Sequence, residues 1–281
     1  MPASILDGRA LAAELRAELS VRTRSLAARG IAPRLEIVFA GADASSDAYA
    51  RALERLGAQT GVTVERVLLP EGSDANALRT ALERCGADRN VHGVIVAQPL
   101  PKSISLDTIA AAIPPEKDVD CTHPLNVAAL STARGPHFIP ATPNAVMLLL
   151  ERSSKWPVRG REVVVVGRSR VVGLPVALLL LARDATVTIA HSKTVDLRSA
   201  SLRAEILVVA AGVPHLVDGS FVRPGATVVD VGTNVIDGKL VGDVDSASAS
   251  EVAGEITPVP GGVGPVTNVA LLRNVVAAAE A

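Results

Sequence analysis

The stretch that most constrains the fold is residues 161–175, which read REVVVVGRSRVVGLP. Residues 162–166 form a short β-branched apolar run and predict a buried strand that ends at Gly167. The apolar residues that follow recur at helical spacing: Val171, Val172, Leu174 and Leu178. Glycine allows a tight turn at the strand end and a close approach of helix to sheet at Gly173. The predicted strand, turn and helix N-terminus form a site suited to a pyrophosphate.

This turn alone is a weak signal for a dinucleotide, because its spacing is G-x-S-x-x-x-G rather than G-x-G-x-x-G. The next predicted strand, residues 185–190, is followed by His-Ser-Lys-Thr at 191–194, where an NAD-binding unit usually carries an acid for the ribose 2′-hydroxyl. No acid is present there, whereas nearby side chains offer donors and positive charge to a 2′-phosphate. These residues are Arg168, Ser169, Arg170, His191, Ser192 and Lys193. The pattern favours NADP over NAD. The alternative is that these side chains are only solvated charges in loops, and this alternative is strongest for Arg170 and Lys193.

The composition excludes several classes of function. At 281 residues the chain is long enough for two domains with cores of their own. Its 28 basic and 29 acidic residues are balanced and aromatic residues make up 2%, so neither nucleic acid nor an anionic membrane is expected as a partner. The sequence lacks an apolar run of about 18 residues and a signal peptide, which predicts a cytoplasmic protein. The 2 cysteines, without zinc or P-loop motifs, predict no disulfide framework and no metal site.

Strands and helices are predicted to alternate along most of the chain. The strands are expected at residues 35–39, 62–69, 91–97, 162–166, 185–190, 206–210 and 227–231. The helices are expected at residues 5–28, 47–59, 74–85, 145–152 and 266–279. This order predicts an α/β fold with parallel sheets and helices on both faces. Residues 114–143 and 257–265 are rich in proline or glycine and predict irregular connections, the first being either a linker or a site.

Several segments resemble a known family over the chain from residue 5 to the C-terminus. They are KDVD at 117–120, VGRS at 166–169, VGLP at 172–175, AHSKT at 190–194, GDVD at 242–245 and TPVPGGVGP at 257–265. On these segments the sequence resembles the bifunctional methylenetetrahydrofolate dehydrogenase/methenyltetrahydrofolate cyclohydrolase family. Its enzymes oxidise 5,10-methylenetetrahydrofolate to the methenyl form by hydride transfer and then hydrolyse that ring to 10-formyltetrahydrofolate. They are cytosolic or organellar and usually homodimeric.

The resemblance implies two α/β domains with a cleft between them. Residues 1–138, together with the closing helix 266–281, would form the catalytic, folate-binding domain, and residues 139–265 a Rossmann-type domain that binds NADP. Contacts to a tetrahydrofolate substrate are implied for Tyr49, Gln98, Pro99, Leu100, Asp120, Pro260, Gly261, Gly262 and Val263. Contacts to NADP are implied for Gly167, Arg168, Ser169, Val172, Gly173, Pro175, His191, Ser192, Thr194, Gly212, Gly232 and Thr233.

The implied catalytic residues are Tyr49 and Asp120. The ring of Tyr49 would stack on the pterin, and the Asp120 carboxylate would bond the pterin's amino and ring nitrogens. The simpler alternatives are that Tyr49, the only tyrosine, is a core aromatic residue and that Asp120 caps a loop.

Two positions depart from the family pattern in a way that bears on catalysis. The family pattern S-x-x-Y-V-x-x-K places a lysine four residues after the tyrosine, and this chain has Leu53 there. The glutamine that supports this lysine falls at Ala97, and Gln98, one residue later, would point to the opposite face of a strand. Arg51 and Arg55 lie well away from the direction of Leu53 around a helix. Three further departures are Cys121 for glycine, Ala141 for cysteine and Ala145 for glycine.

These departures lead to a main hypothesis and several alternatives. Hydride transfer depends mainly on positioning two rings, whereas hydrolysis needs a group that handles a proton, so we expect an NADP-dependent dehydrogenase with a weakened or lost cyclohydrolase step. A fully bifunctional enzyme with a substitute group, a non-catalytic folate- or NADP-binding paralogue, and a dehydrogenase for another one-carbon or amine adduct remain open.

The remaining polar residues offer weaker signals. Asp243 and Asp245, in GDVD, could perform acid/base work or cap turns. His92 lies at a strand start, and His123, His137 and His215 lie in loops near prolines without a spaced partner for a metal or a triad. We expect these histidines to be structural.

Overall fold

The computed structural model describes residues 2–41, 44–132 and 138–281. The strands, in chain order, are β1 (Ser4–Ile5), β2 (Arg34–Phe39), β3 (Thr63–Leu68), β4 (Gly93–Val96), β5 (Glu162–Val166), β6 (Thr186–Ala190), β7 (Ile206–Val209), β8 (Thr227–Asp230), β9 (Asn234–Ile236), β10 (Lys239–Val241) and β11 (Glu255–Ile256). The α-helices are α1 (Gly8–Ala28), α2 (Ala44–Thr60), α3 (Ala75–Ala87), α4 (Leu106–Ile109), α5 (Pro124–Ala129), α6 (Ala141–Leu150), α7 (Gly173–Leu181), α8 (Leu197–Ser201), α9 (Ser246–Ala249) and α10 (Val263–Glu280). The α/β class predicted from the sequence is confirmed.

The chain divides into two compact units, each built from separate stretches of sequence. The first unit comprises Ala13–Ala141 and Asn268–Ala281, and the second comprises Met1–Ala12 and Thr142–Thr267. This division differs from the predicted boundaries at 138/139 and 265/266, and it places residues 1–12 in the second unit. The physical reason is that β1 pairs in parallel with β11 and thereby extends the sheet of the second unit.

The first unit is organised around a parallel sheet with the strand order β3-β2-β4. β2 is the central strand and its residues from Leu35 to Phe39 are all buried, because helices cover a central parallel strand on both faces. A core cluster beside it includes Val38, Leu78, Leu82 and Val94. Asp74, at the predicted start of its helix, caps α3 by accepting a hydrogen bond from the backbone of Ala77 at 2.8 Å.

The first predicted helix begins later than expected. Residues 4–5 form β1 instead of a helical turn, and the helix starts at Gly8 after Asp7, whose carboxylate accepts hydrogen bonds from the backbone of Arg9 and Ala10. Five leucines along this segment are buried: Leu6, Leu11, Leu15, Leu19 and Leu26.

The second unit is organised around a larger parallel sheet with the order β1-β11-β8-β7-β5-β6. The chain passes outward from β5 to β6 and then returns to β7 on the other side of β5. Strand order therefore reverses between β5 and β7, and in open parallel sheets ligands bind beyond the carboxyl ends of the strands at such a point. The residues that follow these two strands are Gly167 and Ala210.

Other departures from the prediction are local. α5 lies inside the proline-rich stretch 114–143, where Pro124 occupies the first turn and His123 caps the helix. α10 begins at Val263, so residues 263–265, predicted to be irregular, are helical. Asp237 and Gly238 form the tip of the hairpin of β9 and β10, with φ of 49° and 74°. Within the described part of the chain, no helix is long and apolar enough to cross a membrane.

Candidate active site

The turn after β5 shows why glycine occupies position 167. Gly167 has φ +125°, and a Cβ atom there would lie 2.1 Å from the carbonyl oxygen of Ala210. The loop that follows β7 therefore passes directly over this turn. Gly173 has ordinary φ but equally little space, since a Cβ would lie 2.3 Å from the carbonyl oxygen of Gly167. Both glycines permit the close backbone approach that a dinucleotide turn requires.

Ser169 organises the start of α7. Its hydroxyl oxygen accepts hydrogen bonds from the backbone N–H groups of Val172 and Gly173 at 3.2 and 3.3 Å. The hydroxyl proton remains available for a ligand. Among the other predicted cofactor residues, Pro175 is buried within the first turn of the helix.

The apolar pattern predicted for this helix is corrected by the structure. Val171 and Leu174 are 54% and 37% exposed, because α7 begins only at Gly173 and buries a different set of side chains. The buried set includes Val176, Ala177, Leu179 and Leu180.

The loops after β5 and β6 meet at one edge of the sheet, because Val166 is paired with Ala190. Arg168, Ser192 and Lys193 are exposed there. The turn after β6 is closed by two hydrogen bonds between His191 and Thr194, from the His191 N–H to the Thr194 hydroxyl oxygen at 2.9 Å and from the Thr194 N–H to the His191 carbonyl oxygen at 2.8 Å. The predicted basic residues are thus brought together, and no acid lies within the turn, as an NADP 2′-phosphate would require.

His191 accepts a hydrogen bond at Nδ1 from the backbone N–H of Lys193, at 3.1 Å. A neutral His191 therefore carries its proton on Nε2, where it can donate to an anion.

Two buried carboxylates lie close together in the second unit, Asp230 at the end of β8 and Asp243 just after β10, and this pair was not predicted from the sequence. Asp243 is fully buried, and Asp230 is 3% exposed. Asp230 accepts hydrogen bonds from the backbone of Gly232, Asp243 and Val244 at 2.9, 3.0 and 3.0 Å. Burial, and to a smaller extent the charge of Asp243, raise the pKa of Asp230 to about 6. Asp245 is a helix cap, as one of the two interpretations expected, because it accepts from Ala247 and Ser248 at the start of α9.

The glycine-rich segment TPVPGGVGP lines a cavity of about 180 Å³ in the second unit. Four predicted substrate residues contribute to it, and so do two predicted cofactor residues, Gly232 and Thr233. The four are Pro260, Gly261, Gly262 and Val263. Arg9 and Leu240 complete one side of the cavity, and neither was predicted as a site residue. The structure therefore places this segment beside the loop that follows β8.

Tyr49 and Asp120 come together in the first unit. The Tyr49 side chain is 37% exposed, so it is not a core aromatic residue. Burial of its hydroxyl and the nearby charge of Asp120 raise the pKa of Tyr49. Burial and the neighbouring Asp118 raise the pKa of Asp120 to about 7, against a hydrogen bond with the Ala141 backbone.

Asp118 holds the loop that presents Asp120. Its carboxylate is fully buried and accepts four hydrogen bonds, from the backbone and hydroxyl of Thr122, the backbone of His123 and the side-chain amide of Asn126, at 2.8–2.9 Å. Cys121, next in sequence to Asp120, has φ +56°, a left-handed conformation that favours glycine. This conformation agrees with the glycine that the resemblance implies at that position.

The position that the resemblance assigns to the family lysine is apolar and enclosed. Leu53 is fully buried and Ala97 is 9% exposed, whereas Gln98 is exposed. Of the two arginines on the same helix, Arg51 is exposed and pairs with Asp47, and Arg55 is exposed. Gln98 and Pro99 are joined by a cis peptide bond, and Leu100 is partly buried.

The described histidines have structural partners or lie at the surface. His92 accepts from the backbone of Arg34 at 3.3 Å, and His123 accepts from the backbone of Leu125 at 3.1 Å. His215 is exposed, and His137 lies outside the described residues. Within the described ranges, no group of three or more histidine, cysteine, aspartate or glutamate side chains could hold a metal ion.

The reversal of strand order at Gly167 and Ala210, the capped turn into α7 and the basic edge beyond β6 define a dinucleotide-binding α/β protein. The family described as "Tetrahydrofolate dehydrogenase/cyclohydrolase, catalytic domain" matches residues 6–120, and its "NAD(P)-binding domain" matches residues 140–281. The chain belongs to the tetrahydrofolate dehydrogenase/cyclohydrolase family.

Full-length relatives support this membership. "Bifunctional protein FolD" of Exiguobacterium sibiricum is 44% identical over 278 residues, which cover 99% of this chain and 100% of the relative. That of Roseiflexus sp. is 48% identical over 282 residues, covering 100% of this chain and 97% of the relative. The solved structure of the Trypanosoma brucei enzyme, complexed with NADP cofactor and inhibitor, matches with a TM-score of 0.94 and 39% identity, over 100% of this chain and 98% of that chain.

Proposed function

We propose that this protein catalyses the NADP-dependent oxidation of 5,10-methylenetetrahydrofolate to 5,10-methenyltetrahydrofolate, and that its cyclohydrolase step is weakened or lost. The observation that carries the second half is the fully buried Leu53 at the position of the family lysine. The resemblance to the family further supports a cytoplasmic homodimer.

The dehydrogenase half of the proposal is supported by the preserved geometry of the nucleotide loops. When bound, NADP supplies the hydride acceptor. The glycine turn at 167 leaves room for the pyrophosphate, and Ser169 retains a hydroxyl proton to donate. Arg168, His191 and Ser192 would hold the 2′-phosphate. Asp120 would accept hydrogen bonds from the pterin, which fixes the reacting carbon without any proton transfer by the protein.

The hydrolytic half of the proposal depends on the apolar residues at the positions of the family lysine and glutamine. Attack of water on the methenyl carbon needs a group that takes up and releases a proton, and a positioned acid/base group typically contributes about 10²–10⁴-fold in rate. Leucine and alanine can do neither, and Arg51 is already paired with Asp47. Arginine would in any case stay protonated.

A fully bifunctional enzyme is the second candidate, and one observation favours it. Asp120 has a pKa of about 7, which suits a group that exchanges protons at neutral pH. The relatives named above as bifunctional are consistent with this alternative.

Paired assays on the purified protein separate these proposals. Formation of NADPH from 5,10-methylenetetrahydrofolate reports the dehydrogenase, and the decay of methenyltetrahydrofolate absorbance above its uncatalysed rate reports the cyclohydrolase. We expect the first signal with NADP, a weaker one with NAD, and little or no second signal. Rapid catalysed decay in the wild-type protein would establish the bifunctional alternative. Tight NADP binding without either signal would indicate a binding paralogue or another substrate.

Restoring the family pair tests the role of Leu53 directly. The double variant Leu53→Lys/Ala97→Gln should accelerate methenyltetrahydrofolate decay at least about tenfold, since it returns part of the contribution of an acid/base group. The matched control Leu53→Met/Ala97→Gln keeps a similar volume without an amine and should not accelerate the decay. Equal rates in both double variants would contradict the assignment.

A further inference from the structure

We propose that Asp243 is a positioning residue for the dinucleotide. It would act through the backbone of the loop after β7 and the side chain of Asn234, without touching the ligand. This inference rests on the proposed binding of NADP and adds a residue outside the set predicted from the sequence.

The first observation is the set of contacts made by its carboxylate. Oδ2 of Asp243 accepts hydrogen bonds from the backbone N–H groups of Ala211 and Gly212, at 2.6 and 2.8 Å. Oδ1 accepts from the side-chain amide of Asn234 at 2.8 Å. One side chain therefore joins the loop that follows β7 to the first residue of β9, directly after the loop that follows β8.

The second observation is the orientation that these hydrogen bonds impose on the peptide groups of the loop after β7. In a trans peptide the N–H of one residue and the carbonyl of the preceding residue point in opposite directions. Because the Ala211 N–H points to Asp243, the Ala210 carbonyl points away from it. That carbonyl oxygen would lie 2.1 Å from a Cβ atom at Gly167, at the point where the strand order reverses. Asp243 thus fixes the orientation of the Ala210 carbonyl group, whose oxygen lies against the nucleotide turn at Gly167.

The third observation is that Asp243 itself is held in place. Its backbone N–H donates to Oδ1 of Asp230 at 3.0 Å, and a second Asp230 bond, at 2.9 Å, holds Gly232 in the neighbouring loop. Asp230 is fixed in turn by the hydroxyl of Thr257, which accepts from its backbone N–H at 2.8 Å. Two carboxylates buried side by side cost free energy that apolar residues would not. A role in holding the loops accounts for their presence.

The test compares Asp243→Asn with the control Asp245→Asn, which alters a helix cap in the same motif. Asparagine offers one acceptor oxygen in place of two, so it cannot hold both the backbone pair and Asn234. Titration calorimetry with NADP should show at least tenfold weaker binding for D243N and a change of less than twofold for D245N. Hydrogen exchange in the absence of NADP should be at least tenfold faster at the Ala211 and Gly212 amides of D243N only.

A structural role alone would not produce this pattern. In D243N the KM for the folate should stay within about twofold of wild type, while the KM for NADP rises. If D243N does not fold, Asn234→Ala, which removes only the bond to Oδ1, carries the test and should weaken NADP binding with an intact circular dichroism spectrum. Unchanged NADP affinity in the folded variant would overturn the proposal, and so would unchanged exchange at residues 211 and 212.

Failure of the proposed function can be distinguished from failure of the role proposed for Asp243. If wild-type protein binds NADP but does not oxidise the folate, the proposed dehydrogenase reaction is wrong. The NADP-binding data for the variants then still decide the role of Asp243. If wild-type protein binds no NADP, both proposals are overturned.

Discussion

Asp120 and Asp230 show how the surroundings of a side chain change its chemistry. Both are carboxylates with a raised pKa, about 7 for Asp120 and about 6 for Asp230, and burial is the first cause for each. Each also lies near a second carboxylate, Asp118 or Asp243, which adds to the shift. Neither effect can be inferred from the sequence around Asp120 or Asp230, because it depends on which atoms enclose the carboxyl group.

The pKa of Asp120 predicts a pH dependence of stability. Between about pH 4 and pH 7 the folded protein holds a proton at Asp120 that the unfolded chain has lost, so this group's contribution to the free energy of unfolding falls as pH rises. Relative to wild type, Asp120→Asn should therefore become more stable between pH 4 and pH 8, by up to about 4 kcal/mol. Urea unfolding of both proteins at the two pH values measures this difference in the free energy of unfolding. Asp230 is present in both proteins, so its own titration cancels in the comparison.

The same titration should appear in folate binding. The pterin donates hydrogen bonds to the ionised carboxylate, so the KM for the folate should rise as pH falls below about 7, while the KM for NADP changes less. A KM for the folate that is constant between pH 5.5 and pH 8 would contradict this role of Asp120.

At the scale of elements, β5, its turn and α7 were the most predictable part of the molecule. Periodicity and glycine spacing located the strand and the turn, since both depend on local sterics. Val171 and Leu174 recur at helical spacing but are exposed, and α7 begins at Gly173. Short elements such as β1, β11 and α5 escaped prediction, because tertiary contacts rather than periodicity define them.

Packing of α7 against its own turn gives a prediction for this element. Gly173→Ala places a methyl group 2.3 Å from a backbone oxygen that cannot move without shifting the turn. We expect a loss of about 1–3 kcal/mol in the free energy of unfolding, together with weaker NADP binding. The control is Gly264→Ala in α10, where a Cβ meets open space, and its stability should stay within about 1 kcal/mol or increase. Urea unfolding and NADP titration of both variants provide the comparison.

At the scale of the whole molecule, the chain begins in the second unit and ends in the first. Ala3, Ser4 and Leu6 donate backbone hydrogen bonds to Ser250, Gly254 and Ile256, at 2.8–2.9 Å. At the other end, the side chain of Asn274 in α10 donates to the backbone carbonyls of Val119 and Ile139, both at 2.8 Å. Each unit therefore depends on a segment that is distant in sequence.

The N-terminal segment should contribute measurably to the stability of the whole protein. Leu6 is 6% exposed and Ile5 is 58% exposed, although they are neighbours. Leu6→Ala should cost about 2–5 kcal/mol in the free energy of unfolding, whereas Ile5→Ala should cost less than about 0.5 kcal/mol. Thermal unfolding of the two variants tests this contrast, and equal effects would mean that residues 1–12 do not pack as the structure shows.

Residue types and short spacings were enough to predict the α/β class, the nucleotide turn, the absence of an acid after β6 and the leucine at the position that the resemblance assigns to the family lysine. These properties depend on residue identity and short-range spacing, which are visible in one dimension. The folded structure was needed to show that Asp243 links the loop after β7 to Asn234, that residues 1–12 complete the second unit and that burial raises the pKa of Asp120 to about 7. The reason is physical: hydrogen-bond partners and burial are set by residues that are remote in sequence and adjacent only in the folded chain.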